Sequence, residues 1–316
     1  MSKYVISSSP HLRDHVTTAR IMQDVCIALL PAAIAGVLFF GYRSAVILAL
    51  SVAAAVLSEW FYCKAAHQRS TIGDFSAVVT GLLLAMNLPS TVPYWMPVIG
   101  AIIAILLCKM IFGGIGQNFI NPALAARAIL ALSWASMMNT FATPAFGNLA
   151  GVDAVASATP IGAGVGGSYT LAQLILGNIP GTIGETCKLA LLAGAAYLLV
   201  RRVITWHIPA AFLGSFAVCY LIATGFDINQ TLYQLLSGGL ILGAFFMATD
   251  YSSSPTTAKG KLVFGVGCGL LLFIFRYCKS TPAEWCSYAI LLMNVASPLI
   301  ERVTGAKSMG EVKKNA

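Results

Sequence analysis

The stretch Gly151 to Gly167, GVDAVASATPIGAGVGG, is a polar, glycine-rich island between two long apolar blocks. Its centre reads Asp153-Ala154-Val155-Ala156-Ser157-Ala158-Thr159-Pro160. Thr159 offers a hydroxyl with small neighbours before it, on a backbone that a modifying enzyme can draw out into its own active site. Pro160 pushes Thr159 toward an extended conformation. The chemistry that fits is modification of the Thr159 hydroxyl by a transferase; the plain alternative is a loop threonine beside a turn-forming proline.

That centre resembles the flavinylation motif D-x-x-[ST]-G-A-T, in which the last threonine carries FMN through a phosphoester bond. Asp153, Ala158 and Thr159 match, while Ala156 and Ser157 stand where the motif has Ser/Thr and Gly. Just beyond, Gly162 to Gly167 formally contains G-x-G-x-x-G. The dinucleotide fingerprint requires a preceding strand and a surrounding βαβ unit, and neither is present in the pattern. The glycines read as a hinge that lets Thr159 reach a flavin transferase and partner proteins.

A second constellation is Gly113-Gly114-Ile115-Gly116-Gln117-Asn118-Phe119-Ile120-Asn121-Pro122. Non-helical backbone at membrane depth survives only where protein or a cavity surrounds it, so this run is a candidate re-entrant polar site. Asn118 and Asn121 present donors and acceptors suited to the rim of a flavin ring. Asn121 followed by Pro122 is also ordinary helix-start grammar. Arg127 follows inside an apolar segment, where a charge is a functional hypothesis by default. It could hold a phosphate or a reduced flavin, or else pair with Asp24, Glu59 or Asp74. Asp74, Asn87, Thr249 and Asp250 flank two short segments and are candidates for an ion path.

The elements that position these residues are membrane helices. The chain is 58% hydrophobic and 9% charged, with a mean hydropathy of +0.82; soluble domains carry about 25% charged residues. The net charge of +8 comes from scattered single and paired basic residues, which excludes the basic stripe of a nucleic-acid binder. Eight cysteines, never spaced Cys-x-x-Cys, and four scattered histidines give no metal-ligand set.

Five apolar segments are expected before the island: 21–41, 44–63, 75–88, 94–112 and 117–137. Five more follow: 183–200, 206–224, 232–250, 261–275 and 282–300. The domain plan is a cytoplasmic arm (1–20), a first repeat (21–137), a loop (138–182), a second repeat (183–300) and a tail (301–316). Segment 75–88 spans only about 21 Å against a hydrocarbon core of roughly 30 Å, and its counterpart is loosened by Gly238, Gly239 and Gly243. Paired short or broken segments point to an inverted repeat. Five is odd, so the second block runs opposite to the first.

With both termini inside, only Arg43, Lys188, Arg276 and Lys279 fall outside and Arg127 within a segment, leaving 14 of the 19 basic residues inside. The positive-inside rule therefore supports this orientation. It places Thr159 on the outer face. The expected fold is an all-α integral membrane protein of about ten transmembrane segments, two inverted five-helix repeats with short or broken helices.

The D-x-x-A-S-A-T-P loop, the early Ser9-Pro10-His11, the Gly-Gly-x-Gly-x-Asn-x-x-Asn-Pro-Ala run at 113–123 and the ten-segment layout together resemble the D-subunit family of Rnf electron-transport complexes. The B subunits of Na⁺-translocating NADH:quinone reductases share the plan, usually with a longer N-terminal extension. The resemblance implies a multi-pass subunit of a bacterial plasma membrane, with covalent FMN on Thr159 and a noncovalent riboflavin among the helices. It implies electron relay between ferredoxin and NAD⁺, coupled to Na⁺ or H⁺ movement, with flavin and iron–sulfur subunits as partners. A urea-channel-like solute transporter is the alternative of a different class, since it too has two inverted five-helix halves and needs no hydroxyl in the loop.

Overall fold

The computed structural model describes residues 16–147, 156–157, 169–278 and 285–305, the two at 156–157 by their backbone alone. Helix α1 (Thr18–Phe40) starts where the Thr17 hydroxyl accepts the Arg20 N–H at 3.3 Å. It ends at Gly41, whose φ of +76° turns the chain directly into α2 (Tyr42–Ala65). Both helices are long and apolar enough to cross a bilayer. A tight turn then leads into α3 (Ser76–Met86), whose first amide and hydroxyl both donate to Asp74 Oδ1.

At 11 residues α3 is the expected half-helix, about 16 Å long. The next helix, α4 (Trp95–Ile102), widens into a π-helix over Ile103–Met110. Asn121 caps α5 (Pro122–Ser133) by accepting the Ala123 and Leu124 N–H groups, with Pro122 at the first turn as its sequence predicts. The chain breaks at Trp134 and makes the single turn α6 (Ala135–Met138). The expected 117–137 helix is thus shorter at both ends.

The region expected as a plain loop carries order of its own. Strand β1 (Phe141–Ala142) pairs antiparallel with β2 (Ala156–Ser157), Phe141 opposite Ser157 and Ala142 opposite Ala156. Helix α7 (Leu171–Leu176) opens on a Thr170–Gln173 capping box.

The second block comprises α8 (Lys188–Val200), α9 (His207–Ala223), α10 (Ile228–Leu236), α11 (Leu240–Leu242, continuing as a π-helix over Gly243–Met247), α12 (Ala258–Tyr277) and α13 (Trp285–Thr304). Helices α10 and α11 form one element bent by 67° at Ser237–Gly239. The loosening expected within 232–250 is a full break: Gly238 takes φ +64°, and the ladder of hydrogen bonds stops. Residues 183–187, expected to open the sixth helix, are instead non-helical.

Within the blocks α2 packs on α3 and α4, α9 on α12, and α12 on α13, with Gly81 close against Ser51 and Ala55, Gly265 against Ala211 and Gly269 against Ser215. The two blocks meet along α1 and α8. A Cβ on Gly194 would sit on the carbonyl oxygen of Ala28, so only glycine lets these backbones approach. The contact is closed at one end by Asp24, which accepts from Tyr197 Oη at 2.9 Å and from Arg201 Nη2 at 3.1 Å.

Gly194→Val is expected to push α1 from α8, costing about 1–3 kcal/mol by overpacking. Thermal denaturation in detergent should show a lowered melting temperature. Gly214→Ala, where an added Cβ meets nothing within 4 Å, should melt with the native protein.

Candidate functional site

A cleft opens at the mouth of the half-helix α3. Asn118, Asn121, Thr249 and Asp250 line it together with Ser76, Thr80 and Lys109, over apolar walls that include Met22, Leu83, Phe245 and Phe246. The glycines at 113, 114 and 116 all take positive φ, from +84° to +113°, and this folds the polar run back toward the helices. Asn118 and Asn121 end up buried while Phe112, Ile115 and Phe119 stay exposed.

Each amide is held in place. Asn121 spends its oxygen on the α5 cap, and its Nδ2 donates to the Met247 carbonyl at 3.2 Å, joining the start of α5 to the end of the second π-helix. Asn118 Nδ2 donates to Ile120 O at 3.1 Å and lies 3.5 Å from Asp250 Oδ2. Asp250 also accepts from the Ser253 and Ser252 hydroxyls at 3.0 and 3.2 Å. The Thr249 hydroxyl bonds back to Phe245 O at 2.7 Å. Of the four candidate ion-path residues, Thr249 and Asp250 therefore share the cleft. Asp74 meets it only through Ser76, and Asn87 lies elsewhere.

Sequence reasoning overlooks the cleft's charged wall. Lys109 Nζ donates to Glu59 Oε2 at 2.6 Å and to Ser76 Oγ at 2.5 Å, and Ser76 Oγ in turn donates to Asp74 Oδ1 at 2.5 Å. The other Glu59 oxygen accepts from Thr71. Both ionic side chains are buried, at 4% and 0% exposure. The sequence places Lys109 among the topology determinants at the inner edge; its position in the π-helix turns it inward instead. The signal that could have found it is Glu59, a carboxylate within an apolar segment. Both π-helices border this cleft, as such widened turns frequently do at functional sites.

Arg127 does not line the cleft. It is 1% exposed, and its Nη1 donates to Asn87 Oδ1 at 2.8 Å and to Ser287 Oγ at 3.0 Å. None of the three expected acids binds it: Asp24 holds Arg201, Glu59 holds Lys109, and Asp74 caps α3. Asn87 is the residue on which α3 ends, and its Nδ2 donates to Leu83 O at 2.7 Å. Arg127 thus braces the inner end of the half-helix.

Beside it, non-helical backbone from both blocks runs through the interior. Ile183 N–H donates to Leu88 O at 3.1 Å and Gly184 N–H to Met86 O at 2.8 Å, and Pro89 bridges Thr182. Lys188, expected on the outer face, is wholly buried against this layer.

Asp153, Ala158 and Thr159 lie outside the described residues, and Ser157 is placed only by its backbone pairing with Phe141. That pairing fixes the chain two residues short of Thr159. It does so beside Ala142, which packs with Phe39 and Phe40 at the end of α1.

A family model described as the NQR2, RnfD, RnfE family matches residues 5–310. The chain belongs to this family. Within the NQR2, RnfD, RnfE family it is similar to the D subunit of the Na⁺-translocating ferredoxin:NAD⁺ oxidoreductase complex of Acetobacterium woodii, 46% identical over 98% of this chain and 97% of the relative. The D subunit of the proton-translocating ferredoxin:NAD⁺ oxidoreductase complex of Clostridium ljungdahlii is 39% identical over 97% and 96%. The D subunit of the ion-translocating oxidoreductase complex of Halorhodospira halophila is 35% identical over 96% of each chain. The NQR2, RnfD, RnfE match takes in the cleft, the Arg127 brace and the Gly151–Gly167 island alike.

Removing one partner of a buried ion pair costs about 3–5 kcal/mol. Lys109→Met should therefore destabilise the protein strongly, and Glu59→Gln combined with Lys109→Met should recover much of the loss. A double-mutant cycle read by thermal denaturation in detergent checks this; equal melting of single and double variants would dismiss the pairing.

Proposed function

We propose that this chain is the D-type membrane component of an ion-translocating ferredoxin:NAD⁺ oxidoreductase complex, carrying FMN on Thr159 and relaying electrons while Na⁺ or H⁺ moves. The full-length similarity to a relative named for that complex carries the reading. The D-x-x-A-S-A-T island supplies the attachment chemistry, because Asp153, Ala158 and Thr159 occupy the motif's positions. Flavin supplies one- and two-electron redox steps; the chain's own part is to bind, orient and exclude water.

The second flavin, riboflavin, is assigned to the cleft. Its apolar walls beside fixed amides and a lysine form the mixed lining that a flat heteroaromatic ring requires. Asn118 would meet the ring, while Asn121 holds the frame. Thr249 and Asp250, in the same cleft, are the oxygen groups an entering ion would meet. Asp74 reaches it only through Ser76.

The architecture in this reading is ten crossings in two inverted halves, with both termini cytoplasmic and Thr159 outside. Helices occur at all ten expected segments among the described residues, three of them of full spanning length and apolarity. The orientation gains support from the basic residues counted as outside. Arg43 donates to the Thr91 and Val92 carbonyls, and Lys188 and Arg276 also bind backbone carbonyls. Their charges are spent on the fold, which leaves the outer face with fewer free basic residues. Flavin, iron–sulfur and other membrane subunits, together with a flavin transferase, are the partners this role needs.

Thr159→Val is expected to remove the covalent flavin and leave membrane insertion intact. In-gel ultraviolet fluorescence of the denatured band, from cells that contain the transferase, reads this directly. A variant band as bright as the native one would eliminate Thr159 as the attachment point.

A further inference from the structure

Where α10 stops at Leu236 and α11 begins at Leu240, the backbone presents three successive carbonyls, of which only Gly239 O also accepts a helical N–H, from Gly243 at 2.8 Å. Each is met by a side chain from a different helix. Arg276 Nη2 of α12 donates to Ser237 O at 3.0 Å, Lys188 Nζ of α8 to Gly238 O at 2.9 Å, and Cys286 Sγ of α13 to Gly239 O at 3.7 Å. Lys188 also donates to the carbonyl of Glu185, on the non-helical chain ahead of α8. Carbonyls from two separate segments thus converge on one ammonium, which is fully buried.

The non-helical chain ahead of α8 adds further unpaired oxygens. Glu185 Oε2 and the hydroxyl oxygens of Thr182 and Thr186, all on that same non-helical chain, are buried and make no hydrogen bond. Glu185 Oε2 faces the gap: a Cβ on Gly239 would lie 3.1 Å from it. Unwound carbonyls at the inner ends of broken membrane helices are the ligands with which membrane proteins hold Na⁺ or H⁺. An ammonium, with three donors and a compact charge, is the side-chain group nearest to such an ion.

We propose that the gap between α10 and α11 is a monovalent-cation site occupied by the protein's own Lys188, a tethered ion filling the position that a soluble cation would take in its absence. The site is separate from the flavin attachment and from the cleft, and it stands whether or not either holds a flavin. Charge, not merely a hydrogen-bond donor, is what the position requires, because oxygen acceptors surround it and the carboxyl of Glu185 lies alongside.

The test is made on the purified complex in detergent. Lys188→Ala in choline chloride, a cation without N–H groups, should lower the melting temperature of this chain by about 5 °C. NaCl or methylammonium chloride should restore it in a saturable, dose-dependent way, while the native protein responds to neither. A variant that melts with the native protein in choline, or one whose loss neither salt repairs, overturns the proposal. Should Lys188→Ala fail to accumulate, Lys188→Gln decides, since it keeps a donor near the same place without the charge. Native accumulation and native melting of Lys188→Gln would overturn the proposal, and any shortfall supports it.

Discussion

A peptide group released from a helix inside an apolar surrounding has no water to turn to, and its partner has to come from the chain itself. Two helices of this protein, α3 and α10, end in the interior, and the rest of the structure follows from providing for their last carbonyls. The end of α3 rests on Asn87, which Arg127 holds while donating also to Ser287 of the second block. The end of α10 rests on Arg276 and Lys188. The end of α3 and the backbone following it, at 86–89, pair with non-helical backbone at 182–184. Buried charge is thus placed where helix dipoles present their negative ends, and the same few contacts join the halves.

Much of the architecture is legible in the sequence. Hydropathy locates helices at all ten segments, because a chain in lipid has to place apolar residues wherever it crosses. The half-length of α3 follows from its 14-residue apolar run, and the Asn121–Pro122 start of α5 from cap chemistry alone. What cannot be read are events inside apolar stretches. The π-helical turns at 103–110 and 243–247 leave composition unchanged, and residues 183–187, largely buried without being helical, look in sequence like the start of a helix. Gly238 and Gly239 announce a loosening but not a 67° break.

The candidate site is legible by residue type and not by arrangement. Asn118, Asn121, Thr249 and Asp250, drawn from two distant stretches, do converge on one cleft. Arg127 and Asn87, singled out by the same reasoning, are instead bound to each other behind it. An intramembrane charge signals that something must satisfy it, and sequence alone does not distinguish a ligand from a carbonyl or an amide. Lys109 and Lys188 show the opposite error: both look in sequence like edge charges, and both are buried. A lysine near the end of an apolar run has a stem long enough to point either way.

The short ladder between Phe141 and Ser157 has a mechanical consequence. A trans chain advances at most about 3.6 Å per residue, so two residues beyond Ser157 reach no farther than roughly 7 Å. The leash is short on that side. On the other, nine residues separate Thr159 from Tyr169. The pairing anchors Ser157 at the end of α1, over the first block's rim, so under the proposed attachment an electron partner of Thr159 would have to approach from that side.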